Sequence, residues 1–291
     1  MFARIAPPLF VVLWSTGFIV ARAIAGQADP CLFLTARFAL AAVVLALLAA
    51  RAGAAWPRGT RLAGHLGAGA VLHGVYLAAS YRAVALGLSP GVMALIGSLQ
   101  PPLTAVAAAL FLAQKPDKRL VAGMAAALAG VALAAWPAPG APGPGQALYP
   151  LGLAFCAMAA ITAGTLLQRS RLAAADLRAA AATQHGGATL VTLVLAWFWG
   201  ENRFAPTTTV LAALGWSVVG LSLGGAGLLV WMIRRGEAAR TVSLLFLAPP
   251  LAAAQAWLFF DASLSGAQLA GFALTLAGVA AARAGRPRGD S

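Results

Sequence analysis

Among the side chains with hydrogen-bonding groups inside the long apolar runs of this sequence, five are candidates for chemistry. Trp14 and Ser15 occur midway through the first run, His73 and Tyr76 share one helix face in the third, and Gln100 lies in the fourth. Polar groups in such surroundings are costly and are therefore candidate functional groups. We predict that these five residues bind a small zwitterion, the aromatic rings giving apolar walls and the other groups hydrogen bonds. The alternative is that each one is a packed core residue satisfied by nearby backbone.

Two proline pairs interrupt apolar runs. Pro101-Pro102 and Pro249-Pro250 lie 148 residues apart. Proline has no amide hydrogen, so each pair leaves the helix carbonyls one turn earlier without their usual donors. Within lipid, such carbonyls must face protein or a water-filled cavity. We predict that both pairs act as hinges and that the first also forms part of a binding floor.

Catalytic and metal-binding patterns are missing from the sequence. All seven Asp and Glu residues fall in loops, at the ends of apolar runs or in the tail, and Cys31 and Cys156 fit no metal or redox spacing. Proton relays and cation sites in membranes usually need a buried carboxylate. We therefore predict no catalytic residue, no metal and no cofactor, a protein that is not an enzyme, and weak or absent proton coupling.

Composition places the chain in a membrane. Of its 291 residues 61% are hydrophobic and only 9% are charged, against about 25% charged residues in a soluble domain. A membrane-spanning helix needs roughly 20 apolar residues. Ten runs qualify, at approximately 5–24, 32–50, 62–82, 88–112, 119–136, 149–168, 179–199, 208–232, 239–260 and 266–284.

The charged residues predict the orientation of these runs. The net charge of +13 comes from Lys and Arg concentrated in alternate loops, with 16 of the 20 on one side. Positive loops stay in the cytoplasm, so both termini are predicted to be cytoplasmic and the protein to lie in a bacterial inner membrane, with no role in nucleic-acid binding. Arg22, Arg37 and Arg82 fall near the outer ends of the first three runs. We expect them to snorkel to the headgroups, or alternatively to form an electropositive outer vestibule.

A repeat divides the chain into two halves. A shift of 148 residues superimposes the proline pairs and aligns 128–132 with 276–280 at every position. Chance similarity between Ala- and Leu-rich stretches is the alternative. Because each half has an odd number of spans, the halves have opposite orientations. We predict an all-α integral membrane protein in which ten helices form an inverted 5+5 repeat around a central cavity, with a first repeat at 1–136, a Pro/Gly linker at 137–148, a second repeat at 149–285 and a cytoplasmic tail at 286–291.

Several motifs resemble those of the EamA-type branch of the drug/metabolite transporter superfamily. They are Trp14-Ser15-Thr16-Gly17-Phe18, Arg37-Phe38, Tyr81-Arg82-Ala83, Gln100-Pro101-Pro102-Leu103 and Ala248-Pro249-Pro250-Leu251. Within that branch the chain is similar to the aromatic amino-acid exporters. It departs from the family pattern at Gln114-Lys115, where a Glu is common. The resemblance implies ten helices, a central cavity and export of amino acids or related metabolites.

The expected function is export of aromatic and other apolar amino acids by facilitated alternating access. The expected partners are a small-molecule substrate and the lipid bilayer, and we expect a monomer. A broad drug or toxicant efflux pump of the same fold is one alternative, although it would be expected to carry a buried acid. A non-transporting membrane assembly protein is the other.

Overall fold

A computed structural model describes residues 2–111, 118–135, 144–171, 176–225, 227–228, 232, 247–262 and 264–284. The predicted tail at 286–291 and residues 137–143 of the predicted linker lie outside these ranges. Within them the structure consists of helices and connecting loops, apart from one isolated antiparallel bridge between Ala28 and Phe204.

The described helices follow the ten predicted spans, and we number them α1 to α10 accordingly. In the first half, α2 (Pro30–Arg51) and α5 (Lys118–Ala134) are uninterrupted helices. The first helix, α1, consists of Phe2–Ser15 and Gly17–Ala23, with a break of one residue between them. The third helix, α3, consists of Gly59–Gly69, Ala70–Val75 and Tyr76–Ala85, and α4 consists of Pro90–Gly97 and Gln100–Phe111.

The second half follows the same order. Its helices are α6 (Pro144–Arg171), α7 (Leu177–Trp199), α8 (Thr208–Trp216 and Ser217–Gly225), α9 (Ala248–Phe260) and α10 (Gly266–Ala284). The sixth helix begins at Pro144, inside the stretch predicted to be a linker. Proline is well tolerated in the first turn of a helix, where its missing N–H would have no partner anyway.

Five described helical segments are long and apolar enough to cross a membrane by themselves, namely 5–23, 30–51, 59–85, 148–168 and 208–225. The others fall short for visible reasons. The fourth helix is interrupted at Ser98 and Leu99, α5 has 17 residues, and α7 carries Gln184 and His185 in its middle.

Two segments of π-helix occupy equivalent places in the two halves. They are Ala70–Val75 in α3 and Ser217–Gly225 in α8, and the shift of 148 residues places the first inside the second. A π-helical turn carries an extra residue and frequently occurs at functional sites. The internal repeat therefore extends to a backbone feature that the sequence repeat did not reveal.

Glycines bring α5 and α10 into close contact across the two halves. A Cβ atom on Gly123 would lie 2.5 Å from the carbonyl oxygen of Gly278. A Cβ atom on Gly271 would likewise lie 2.6 Å from the carbonyl oxygen of Gly130. The shift converts Gly123 to Gly271 and Gly130 to Gly278, so the two contacts are copies of each other. Thr275 Oγ1 bonds to the carbonyl of Ala127, its own counterpart, at 3.3 Å. Contacts that turn into each other when the two halves are exchanged are what a two-fold axis between inverted halves requires.

Candidate functional site

An internal cavity lies at the interrupted parts of α1 and α4. Its walls include Trp14, Ser15, Tyr76, Gln100 and Pro101, so four of the five predicted binding residues come together there. The cavity volume is about 60 Å³. Ligand pockets usually measure about 300–1,000 Å³. The structure therefore shows a contracted state that has room for a few water molecules but not for an amino acid.

The helix interruptions explain why these side chains meet. Ser15 and Thr16 end the first piece of α1, and their hydroxyls bond back to the carbonyls of Val12 and Leu13 at 2.9 and 2.7 Å. Such bonds compete with the helical ladder and bend the chain. In α4, Gln100 begins the second helical piece and Pro101-Pro102 follows in its first turn. Both breaks border the cavity.

Oxygen acceptors are concentrated at the cavity. Gly97 and Ser98 line it, and their carbonyls receive no helical hydrogen bond from Pro101-Pro102. Gln255 Nε2 donates to Ser15 Oγ at 3.0 Å, while Gln255 Oε1 is buried and has no hydrogen-bond partner among the described residues. An ammonium group, which only donates hydrogen bonds, would satisfy these atoms.

Gln100 anchors the cavity to the second half. Its Nε2 atom donates to Thr165 Oγ1 of α6 at 3.3 Å. Its amide oxygen accepts no hydrogen bond from the described residues. Trp14 contributes an aromatic wall that packs against Phe10, with ring centroids 5.3 Å apart. The cavity therefore combines an apolar surface with a small number of polar atoms, as small-molecule sites usually do.

His73 lies in a different group of residues. Its ring centroid is 5.2 Å from that of His185 and 6.5 Å from that of Phe38. The Nδ1 atom of the remaining histidine, His65, lies 3.3 Å from Gln184 Nε2 of α7. All three histidines thus line the contact between α3 and α7, where Gly69 and Gly187 let the backbones approach. His73 is not among the residues that line the cavity.

Arg37 differs from the expectation of snorkelling. It is only 6% exposed and its guanidinium points into the protein. Nε donates to Ser222 Oγ of α8 and Nη1 to the Tyr81 hydroxyl of α3, both at 3.2 Å. Sequence reasoning placed Arg37 near the outer end of α2 but gave no sign of these hydroxyl partners, which lie on two other helices.

Charged residues form a second layer toward the predicted outer face. Arg82 Nη1 lies 3.9 Å from the carboxylate of buried Asp29 and 3.7 Å from that of Glu201. The Glu201 amide also donates to Asp29, and the Asp29 amide donates to the Arg203 carbonyl at 2.7 Å. These residues join the loop after α1 to the loop before α8. We call Asp29, Arg82 and Glu201 the outer ion-pair cluster.

Comparison with known families identifies the architecture. The EamA-like transporter family matches residues 8–136 and 148–283, one copy in each half. The chain belongs to the EamA-like transporter family. The family makes this a multi-pass membrane transporter of small substrates rather than an enzyme.

The same fold occurs among solved structures. One, described only as "Crystal structure of protein", shares 19% sequence identity with this EamA-like transporter, covers 96% of this chain and 95% of its own, and superimposes with a TM-score of 0.63. At that identity the likeness concerns the fold alone. No curated protein sequence matches the chain.

Proposed function

We propose that this EamA-like transporter exports amino acids, chiefly those with aromatic or other apolar side chains, across a bacterial inner membrane. The observation that carries the proposal is the composition of the cavity wall. Trp14, Tyr76 and Phe18 offer an apolar surface, and the carbonyl oxygens of Gly97 and Ser98 offer acceptors for an ammonium group. Gln255, which donates to cavity-lining Ser15, adds a buried oxygen that has no hydrogen-bond partner among the described residues.

Alternating access follows from the inverted halves. The cavity is bordered by helix interruptions in α1 and α4, and Pro249-Pro250 lies in the first turn of α9, whose Ala248 also lines the cavity. Movement at these places would enlarge the cavity and open it to one side at a time. The outer ion-pair cluster would hold the opposite side closed while substrate enters from the cytoplasm.

We propose that transport is facilitated and is not driven by a proton gradient. The predicted spans contain no Asp or Glu, so the usual carboxylate carrier of a coupling proton is missing. Substrate would then move down its own concentration gradient. The transporter would work as a monomer, with its cavity formed by the helices of a single chain.

Transport by purified protein in liposomes tests the proposal. Vesicles loaded with unlabelled phenylalanine or leucine should exchange it for the radiolabelled amino acid outside, at rates that hardly change when a pH gradient is imposed. A steep dependence on the pH gradient would contradict facilitated transport. Exchange of cationic drugs but of no amino acid would replace the proposal with drug efflux.

A further inference from the structure

Arg37 is a buried cation without an acidic partner. Its side chain is 6% exposed, and no Asp or Glu of the described residues forms an ion pair with it. Instead it contacts two neutral hydroxyls and lies 5.6 Å above the ring of Phe38. An uncompensated charge inside a membrane protein is strongly unfavourable, and such residues usually mark the path of a substrate or ion.

The surrounding groups have hydrogen atoms to donate but no acceptors for them. Tyr81 and Ser222 each accept from Arg37, and neither hydroxyl donates to any described residue. The Ser217 hydroxyl is fully buried and lies beside the Tyr81 hydroxyl, but it forms no hydrogen bond of good geometry within the described ranges. The remaining guanidinium N–H groups also lack described acceptors. A carboxylate, which has two oxygens and several acceptor lone pairs, can satisfy a guanidinium and neighbouring hydroxyls together.

The position of this group suits the last part of an export path. Tyr81 precedes Arg82 of the outer ion-pair cluster. Tyr81 is also five residues from cavity-lining Tyr76, which is about 7.5 Å along the helix axis. Ser217 follows Trp216, whose indole Nε1 donates to Thr16 Oγ1 beside cavity-lining Ser15 at 2.9 Å. The donors therefore lie between the cavity and the outer closure.

We propose that Arg37, Tyr81, Ser217 and Ser222 form a binding site for the carboxylate group of the transported molecule. This rests on the proposed function and narrows it: the substrates carry a carboxylate, and net cations are rejected. The ammonium group is held by the cavity oxygens, while the carboxylate is drawn toward Arg37 on the outward path. The ion pair forms only when substrate is present, so the charge of Arg37 is compensated during transport.

Three probes of nearly equal size test the site. L-phenylalanine has both charged groups, 3-phenylpropionate lacks the amine, and L-phenylalaninamide lacks the carboxylate. Binding to purified protein in nanodiscs is measured by displacement of radiolabelled phenylalanine and, independently, by the rise in melting temperature. The two carboxylates should bind better than the amide and should raise the melting temperature more.

Ser217→Ala is the most informative variant, because the Ser217 hydroxyl forms no well-aligned hydrogen bond within the described ranges and its loss should disturb folding little. It should weaken binding of both carboxylates by about tenfold and leave the amide unchanged, as expected for one hydrogen bond to a charged group. Arg37→Gln should weaken carboxylate binding on the order of 100-fold. Thr162→Val is the matched control, since Thr162 Oγ1 is another buried hydroxyl without a described partner and lies outside this group.

The outcomes separate the two proposals. If Ser217→Ala and Arg37→Gln keep the preference of the wild type for carboxylates, the site is overturned, even where phenylalanine transport persists. If carboxylates bind through Arg37 but no amino acid is exchanged by liposomes, the site stands and the proposed function fails. Should Arg37→Gln not fold, Arg37→Lys replaces it: a point charge retains part of the preference but loses the geometry of the guanidinium.

Discussion

Gln100 is the residue at which a structural and a binding role can be separated most cleanly. Its amide nitrogen donates to Thr165, and we propose that its oxygen, which accepts no hydrogen bond from the described residues, binds substrate. We expect Gln100→Leu to lower kcat/KM for phenylalanine exchange by about 10- to 100-fold, the loss of one hydrogen bond to a charged group. Thr165→Val removes the same protein contact and should change kcat/KM little. If both variants lowered kcat/KM equally, the effect of Gln100→Leu would come from the lost Gln100–Thr165 bond, and Gln100 would have a structural role only.

Trp14 and His73, predicted together, should behave differently when each is replaced by alanine. Trp14 lines the cavity, so Trp14→Ala should raise KM for aromatic substrates by about tenfold through lost ring contacts. His73 packs against His185 and Phe38 instead. His73→Ala should lower the melting temperature of the purified protein and leave KM near that of the wild type. A rise in KM as large as that of Trp14→Ala would return His73 to the substrate site.

Four of the residues that line the cavity could be predicted from the sequence for a clear physical reason. Trp14, Ser15, Tyr76 and Gln100 are recognisable because amphipathic or polar side chains are unusual in apolar runs. Arg37 was misjudged because an arginine near the end of a span can equally snorkel, and only the fold shows which way it points. Ser217 and Ser222 were missed because single serines are common in membrane helices and become informative only beside Arg37.

Close packing of α5 against α10 depends on four glycines, and this dependence can be tested at the level of the helix pair. In Gly271→Ala the new Cβ would lie 2.5 Å from the backbone nitrogen of Ala134, so the helices must separate. We expect a loss of about 1–3 kcal/mol in the free energy of unfolding, measured by denaturant titration in detergent micelles.

A matched control for this variant lies on α6. Gly152→Ala places its Cβ where no atom lies within 4 Å. Alanine is favoured over glycine in a helix by about 1 kcal/mol, so this variant should be as stable as the wild type or slightly more so. If Gly271→Ala were equally harmless, the close approach of α5 and α10 in this structure would be wrong.

Helix positions were easier to predict from the sequence than helix irregularities. The interruption of α4 at Ser98 and Leu99 follows from the missing amide hydrogens of two prolines. The π-helical segments could not be predicted, since Ala70–Val75 and its counterpart at 218–223 share only Val71 and Val219. An extra residue in a helical turn depends on tertiary packing and leaves no composition signal.

The inverted repeat relates the parts of the whole molecule. The proline pairs, the π-helical segments and the crossing of α5 with α10 all obey one shift of 148 residues. The chemistry does not obey it: Arg37 corresponds to His185, and Gln100 to Ala248. The fold is therefore symmetric at the proposed hinges and asymmetric at the proposed binding residues. This division is expected for a transporter that distinguishes the two ends of its substrate.

The contact between Ala28 and Phe204 gives a direct test of movement at the outer face. Backbone bonds from Asp29 N to Arg203 O and from Ala205 N to Gln27 O flank it, at 2.7 and 2.9 Å. Opposed residues of such a non-hydrogen-bonded pair have Cα atoms about 4.5 Å apart, a separation that a disulfide spans. Replacing both by cysteine, in a background in which Cys31 and Cys156 are serine, should permit crosslinking on oxidation.

Crosslinking Ala28→Cys to Phe204→Cys should hold the outer side closed. If export requires the loops around Asp29 and Glu201 to separate, oxidised protein in liposomes should exchange phenylalanine only in proportion to its uncrosslinked fraction, and reduction should restore the rate. The single-cysteine variants control for damage by the oxidant and for the packing lost with the Phe204 ring. Undiminished exchange by fully crosslinked protein would exclude this face as a gate and would leave the outer ion-pair cluster with a purely structural role.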